Sequence, residues 1–165
     1  MDLNAAHVHL MLNHVPILGF GLGLLLLAWG RWRDSDEVVR AVLALFLLVG
    51  LTSILVFFSG ENAEDVVEDL AGVSHDAIEV HEETGELGMI VSIIVGLLSG
   101  VGLFLHREGP LPRWMIPSAA VGGLVAFAVL VYAGYQGGQI HHEEIRPEAS
   151  ATSLLTDAPP GALDP

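Results

Sequence analysis

The chain of 165 residues has no cysteine and no lysine, and its six arginines stand against twenty acidic residues for a formal net charge of −14. Without cysteine there is no disulfide, no thiolate metal site, no iron–sulfur ligation and no haem attached through C-x-x-C-H. With so few cations there is no basic footprint for nucleic acid, which is excluded as a partner. Charge is scarce in general: 16% of the residues are charged and 52% are hydrophobic. A soluble domain averages about a quarter charged residues. A soluble enzyme and a disordered chain are thereby excluded.

The apolar excess falls in four runs, Val8 to Trp29, Val38 to Ser59, Leu87 to Leu105 and Trp114 to Tyr135. At 1.5 Å of rise per residue, each is long enough to cross a hydrocarbon core of ~30 Å. The expected fold is all-α, an integral membrane four-helix bundle over residues 1–146, with an extended, proline-containing extracytoplasmic tail over 147–165. No basic residue precedes the first run, so it reads as a retained span and not as a cleavable signal peptide. Arg31, Arg33 and Arg40 surround the first loop, and Arg107 and Arg113 the third. The positive-inside rule puts these loops in the cytoplasm and both termini outside, with Trp29, Trp32 and Trp114 at the same boundary.

The segment from Gly60 to Glu86 then lies outside, and it holds ten acids and no arginine. Ala63, Val66, Val67 and Leu70 recur there at helical spacing, which predicts a short amphipathic helix between the second and third spans, ended at Gly72 and lying over the bundle. Ser74 is positioned to cap the next helix, which continues through His81 into the third span.

Eight histidines in so apolar a chain need an account, since an ionisable side chain in or near a span is costly and faces a cavity or a partner. Counting helix rise up from the arginines places His14 ~25 Å, His9 ~33 Å, His7 ~36 Å, His81 ~39 Å and His141 ~42 Å above the cytoplasmic end. His7 or His9, His81, and His141 or His142 thus share one level near the outer surface, and His14 lies about two turns deeper. On the third helix His81, Gly85, Gly88, Ser92, Gly96 and Ser99 form one narrow stripe, and Gly134, Gly137, Gly138 and His141 do so on the fourth. Small residues in a span serve close helix packing. Near a histidine, as at Gly85, Gly88 and Gly138, they also leave room for a flat macrocycle.

Three chemistries use histidines that converge in a bundle. One is b-type haem, one or two groups, with His9, His14, His81 and His141 as candidate axial ligands, His7 and His142 as alternates, and Glu82 and Glu83 orienting the imidazoles. Another is a zinc, copper or iron ion held by histidines with Glu79, Glu82, Glu83, Glu143 or Glu144. No histidine has an acid three residues before it and H-E-x-x-H is absent, which counts against a di-iron carboxylate centre and a zincin-type protease. The third is proton traffic beside a quinone pocket, with Tyr132, Tyr135, Gln136 and Gln139 at the same end. His106, beside Arg107, reads as an interfacial residue.

At N-H-V-P-I (Asn13 to Ile17), preceded by His9, the chain resembles a bacterial membrane family catalogued as domain of unknown function 2231. The resemblance continues through G-E-N-A-E-D-V-V-E (Gly60 to Glu68), I-E-V-H-E-E (Ile78 to Glu83) and G-G-Q-I-H-H-E-E-I-R (Gly137 to Arg146). Where that family carries His-Pro, this chain has His9-Leu10. The resemblance implies four spans with outward histidines at His9, His14, His81 and His141 or His142, in a bacterial inner membrane. Members fused to Rieske or cytochrome c domains imply membrane electron transfer, with a redox protein or quinone as partner, as a homo-oligomer or a subunit of a larger assembly. The competing expectation is a non-catalytic assembly subunit.

Overall fold

The computed structural model describes residues 4–142 and 145–146. Five helices run in the order α1 (Ala5–Leu12), α2 (His14–Trp32), α3 (Asp36–Val67), α4 (His75–Leu105) and α5 (Met115–Gln139), and there is no strand among the described residues. They make four segments long and apolar enough to cross a membrane, Ala5–Trp32, Asp36–Val67, His75–Leu105 and Met115–Gln139. The protein is a multi-pass membrane four-helix bundle. Its outward faces carry rows of large apolar side chains, such as Leu18, Leu25 and Leu98 at 66%, 71% and 69% exposure, which water would not tolerate and lipid does.

The first span is broken at Asn13. Pro16 has no N–H to bond the Leu12 carbonyl four residues back, so the regular ladder cannot pass that point. His14 covers part of the break, since its Nδ1 lies 2.9 Å from the Leu10 carbonyl oxygen. The first turn of the bundle is tight. Asp34 sits at φ 48, with Ser35 N–H donating to the Gly30 carbonyl at 2.9 Å and Asp34 N–H to that of Arg31 at 3.3 Å. That is a Schellman closure with an aspartate in the left-handed position, and it reverses the chain at once into α3.

The core is centred on Phe46 of α3. Its ring stands 4.9 Å from that of Phe20, and both side chains are fully buried with Val39, Val42, Leu43 and Ala126. Lower polarity alone would not bring α3 and α4 together in lipid; close backbone approach does. A Cβ placed on Gly50 would stand 2.5 Å from the Ser92 carbonyl oxygen, and one on Gly96 would stand 3.0 Å from that of Phe46. The buried Ser92 hydroxyl is satisfied within its own helix, donating to the Gly88 carbonyl at 2.7 Å.

The acidic connection departs from the sequence expectation. No separate amphipathic helix forms over Glu61 to Leu70, because α3 runs through Gly60 without a break and ends only at Val67. The residues after Gly60 are mostly adequate helix formers and none is proline, so the second span propagates about two turns further. Of the expected apolar stripe, Ala63 turns inward at 8% exposure while Val66 and Leu70 face outward. Gly72 makes the following turn at φ 86, and Ser74 Oγ accepts from the Ala77 N–H at 3.3 Å to start α4. The expected tail over 147–165 lies outside the described residues.

Candidate functional site

The end of the bundle opposite the arginine-bearing loops gathers polar groups from all four spans. His9, on α1, and His81, on α4, bring their imidazoles to a centroid separation of 6.1 Å with ring planes at 82°. Each ring is tied at Nδ1. That of His81 lies 2.8 Å from the Ala133 carbonyl oxygen of α5, which can only accept, so His81 Nδ1 carries the proton. His9 Nδ1 lies 3.0 Å from Ser59 Oγ of α3, whose own hydrogen goes to the Val56 carbonyl at 2.7 Å. Ser59 therefore accepts, and His9 Nδ1 is a donor as well. In the neutral rings both Nε2 atoms are left with a lone pair, and the Val56 carbonyl of α3 also lies within hydrogen-bonding reach of the His9 ring. Donation from one nitrogen to a protein oxygen while the other stays free is how proteins orient an imidazole that ligates a metal.

Glycines leave the rings their place. A Cβ on Gly60 would stand 3.2 Å from His9 Cε1, and one on Gly137 would stand 3.0 Å from His81 Cε1. His81 lies against Ala133 and Gly137, and Gly88 against Leu130, so the antiparallel register puts Gly85 level with Gly134. Neither residue has a side chain, and no neighbouring atom lies within 4 Å of the Cβ position of Gly85. The Cβ position of Gly134 lies 3.4 Å from Ile17 Cδ1 of α2. On the first span, one turn from His9 and one turn from Ile17, Asn13 buries its Oδ1 without any hydrogen-bond partner. A buried acceptor left unpaired costs about 1–3 kcal/mol and calls for an explanation.

The structure brings only two of the candidate histidines together. His14 is exposed and turned back on the Leu10 carbonyl, which leaves it at the helix break and away from the pair. His7 is exposed too, its Nδ1 2.7 Å from Asn4 Oδ1 at the start of α1. His141 and His142 lie beyond the end of α5, both exposed, with their rings 6.5 Å apart. Unequal tilt and the broken first span explain why residues of equal height by counting are not neighbours. Among the candidate glycines, Gly85 faces open space, Gly88 is covered by Leu130 at 3.0 Å, and Gly138 meets Ile145 at 3.4 Å. Glu82 and Glu83 are exposed, and the imidazoles are oriented instead by Ser59 and Ala133. Glu143 and Glu144 lie outside the described residues.

Ser59, Ala133 and Asn13 were not foreseen as parts of the site. A backbone carbonyl leaves no sequence signal at all. Asn13 did leave one, since it follows His9 by four residues and so shares its face. Tyr132 and Tyr135 are half exposed on the outer face of α5, their rings 6.4 Å apart, and Gln139 is buried in its own chain end. Among the described residues no three or more His, Asp or Glu side chains converge on a point. No protein-family model, no curated protein and no solved structure matches the chain.

Proposed function

We propose that this protein is a membrane electron-transfer protein in which His9 and His81 are the axial pair of one b-type haem. The observation that carries this reading is the imidazole pair itself, with both Nδ1–H groups taken up by protein oxygens and each neutral ring keeping a lone pair on Nε2. His9 and His81 would hold the group between them, one nitrogen from each ring. Their ring centroids are 6.1 Å apart.

The number of donors favours haem over a bare ion. Zinc and non-haem iron take three or four protein ligands, whereas haem iron, already held by four ring nitrogens, asks for two. The residues present fit the group: two imidazole nitrogen donors from different helices, with Gly60, Gly85 and Gly137 presenting no side chain beside them. When bound there, the haem supplies one-electron transfer. Ser59 and Ala133 hold the rings in the ligating tautomer, and Gly60 and Gly137 let them lie close to the α3 and α5 backbones.

The arginine-bearing loops lie in the cytoplasm on this reading, which makes the redox site extracytoplasmic in a bacterial inner membrane. Ten acids and no arginine between Gly60 and Glu86 suit a cationic redox partner or a larger assembly at that face. The test is the visible spectrum of the purified protein, which should show a bis-histidine Soret band. A colourless protein with stoichiometric zinc or copper moves the pair to simple metal binding, and one with neither supports an assembly subunit. A reporter that fluoresces only in the cytoplasm, fused after Arg146, should stay dark; a bright signal reverses the topology.

A further inference from the structure

At the other end of the bundle, the last turn of α4 and the loop after it form a cleft of about 330 Å³ lined by Phe104, His106, Arg107, Glu108 and Pro110 among others. Arg40 of α3 shapes it, donating through its guanidinium to the carbonyls of His106 and Gly109. These bonds satisfy the Gly109 carbonyl and reinforce the His106 carbonyl, which also accepts the Gly109 N–H at 3.4 Å, and they fix the loop without using the groups that face the cleft.

What remains is rich in donors. The Arg107 guanidinium lies 4.9 Å over the centre of the Phe104 ring, a cation–π contact that seats it on the cleft wall. Among the described residues its one ionic neighbour is Glu108 at 3.6 Å, beyond hydrogen-bond distance, and no acceptor there takes up its N–H groups. The His106 ring carries an N–H in either tautomer and has no hydrogen-bond partner. Beside these donors stands one acceptor-only side chain, the Glu108 carboxylate at 87% exposure. The cleft also borders the lipid face, since Phe104 and Leu105 next to it are 66% and 68% exposed and Trp114 is 63% exposed. An exposed tryptophan beside arginines marks the depth of lipid headgroups.

We propose that this cleft binds the headgroup of a zwitterionic phospholipid with a primary amine, its phosphate on Arg107 and His106 and its ammonium on Glu108. Adjacent groups of opposite sign match a phosphate and an ammonium two carbons apart. A purely anionic headgroup would meet the Glu108 carboxylate, and a quaternary ammonium has no N–H to give it. An acyl chain would continue over Phe104 and Leu105. This site is independent of the histidine pair.

The test is native mass spectrometry of the full chain in detergent, with phosphatidylethanolamine, phosphatidylglycerol and phosphatidylcholine of identical acyl chains. Phosphatidylethanolamine should be retained about three- to fivefold better than the other two, the size expected of one partly exposed charge pair. Arg107→Gln should lower its retention to the level of phosphatidylcholine. Glu108→Gln should erase the preference and raise retention of phosphatidylglycerol. Both side chains are largely exposed, so the variants keep the fold, which their unchanged thermal melting would verify. Equal retention of the three lipids by the native chain, or a preference that survives either substitution, overturns the proposal. Displacement of the lipid by equimolar soluble phosphorylethanolamine overturns the lipid as its source.

Discussion

His9 and His81 meet edge to face across the bundle, with ring centroids 6.1 Å apart, although the two residues come from the first and third spans. The break at Asn13 lets α1 lean on α3, where Ser59 receives the His9 Nδ1–H, and the packing of α4 on α5 supplies the Ala133 carbonyl to His81. Each ring is therefore oriented by a helix other than its own. The geometry of the pair depends on all four spans being assembled.

Replacing His9 or His81 by Ala should remove the haem spectrum while leaving a folded, membrane-inserted bundle, because the core around Phe20 and Phe46 lies deeper and is untouched. His14→Ala and His106→Ala should leave the spectrum unaltered. Visible absorption of the four purified variants checks this, and a bis-histidine spectrum persisting in His81→Ala removes the ligand assignment.

Ser59→Ala takes away the acceptor that holds the His9 tautomer but no packing of consequence. Haem affinity should fall about 10- to 100-fold, as when an outer-shell partner of a ligating histidine is lost. Ser59→Thr, which keeps the oxygen, should restore it. Haem titration of apoprotein measures both, and equal affinities for Ala and Thr would count against the role of the hydroxyl.

The two kinds of glycine should respond differently to added volume. Gly50→Leu drives a side chain into the Ser92 carbonyl of α4, backbone that cannot step aside, and overpacking of this sort costs about 1–3 kcal/mol or more. Gly85→Ala meets only open space and should raise stability by roughly 0.5–1 kcal/mol through helix propensity. Thermal melting in detergent gives both signs. Gly85→Leu would fill the open space beside the histidine pair, and on the haem reading it should lower pigment content without lowering the melting temperature.

Arg40→Ala takes the guanidinium from both carbonyls at the end of α4, leaving that of Gly109 without its donor and that of His106 with only the Gly109 N–H at 3.4 Å. The loss should be about 1–3 kcal/mol, the cost of charge-assisted bonds with no replacement. Arg107→Ala, with no hydrogen-bonded partner of its own, should cost far less. Melting temperatures of the two variants compare them directly.

Four spans, their approximate ends, the Ser74 cap and the turn at Gly72 were legible in the sequence, because run length, hydropathy and helix-stop chemistry are local properties. The gathering of histidines at one end was legible too, since helix rise is constant at 1.5 Å per residue. Which histidines would touch was not. That depends on helix rotation, on tilt and on the bend that Pro16 and Asn13 introduce, and these are settled only when the spans pack. The acidic stretch after Gly60 misled for the same reason: its amphipathic pattern is real, but a helix already propagating from the second span extends at no nucleation cost, so α3 continued through it. Ala133 and Ser59 show the limit most plainly. A backbone carbonyl and a common hydroxyl carry no mark in a sequence, and only the tertiary arrangement made them the groups that orient His81 and His9.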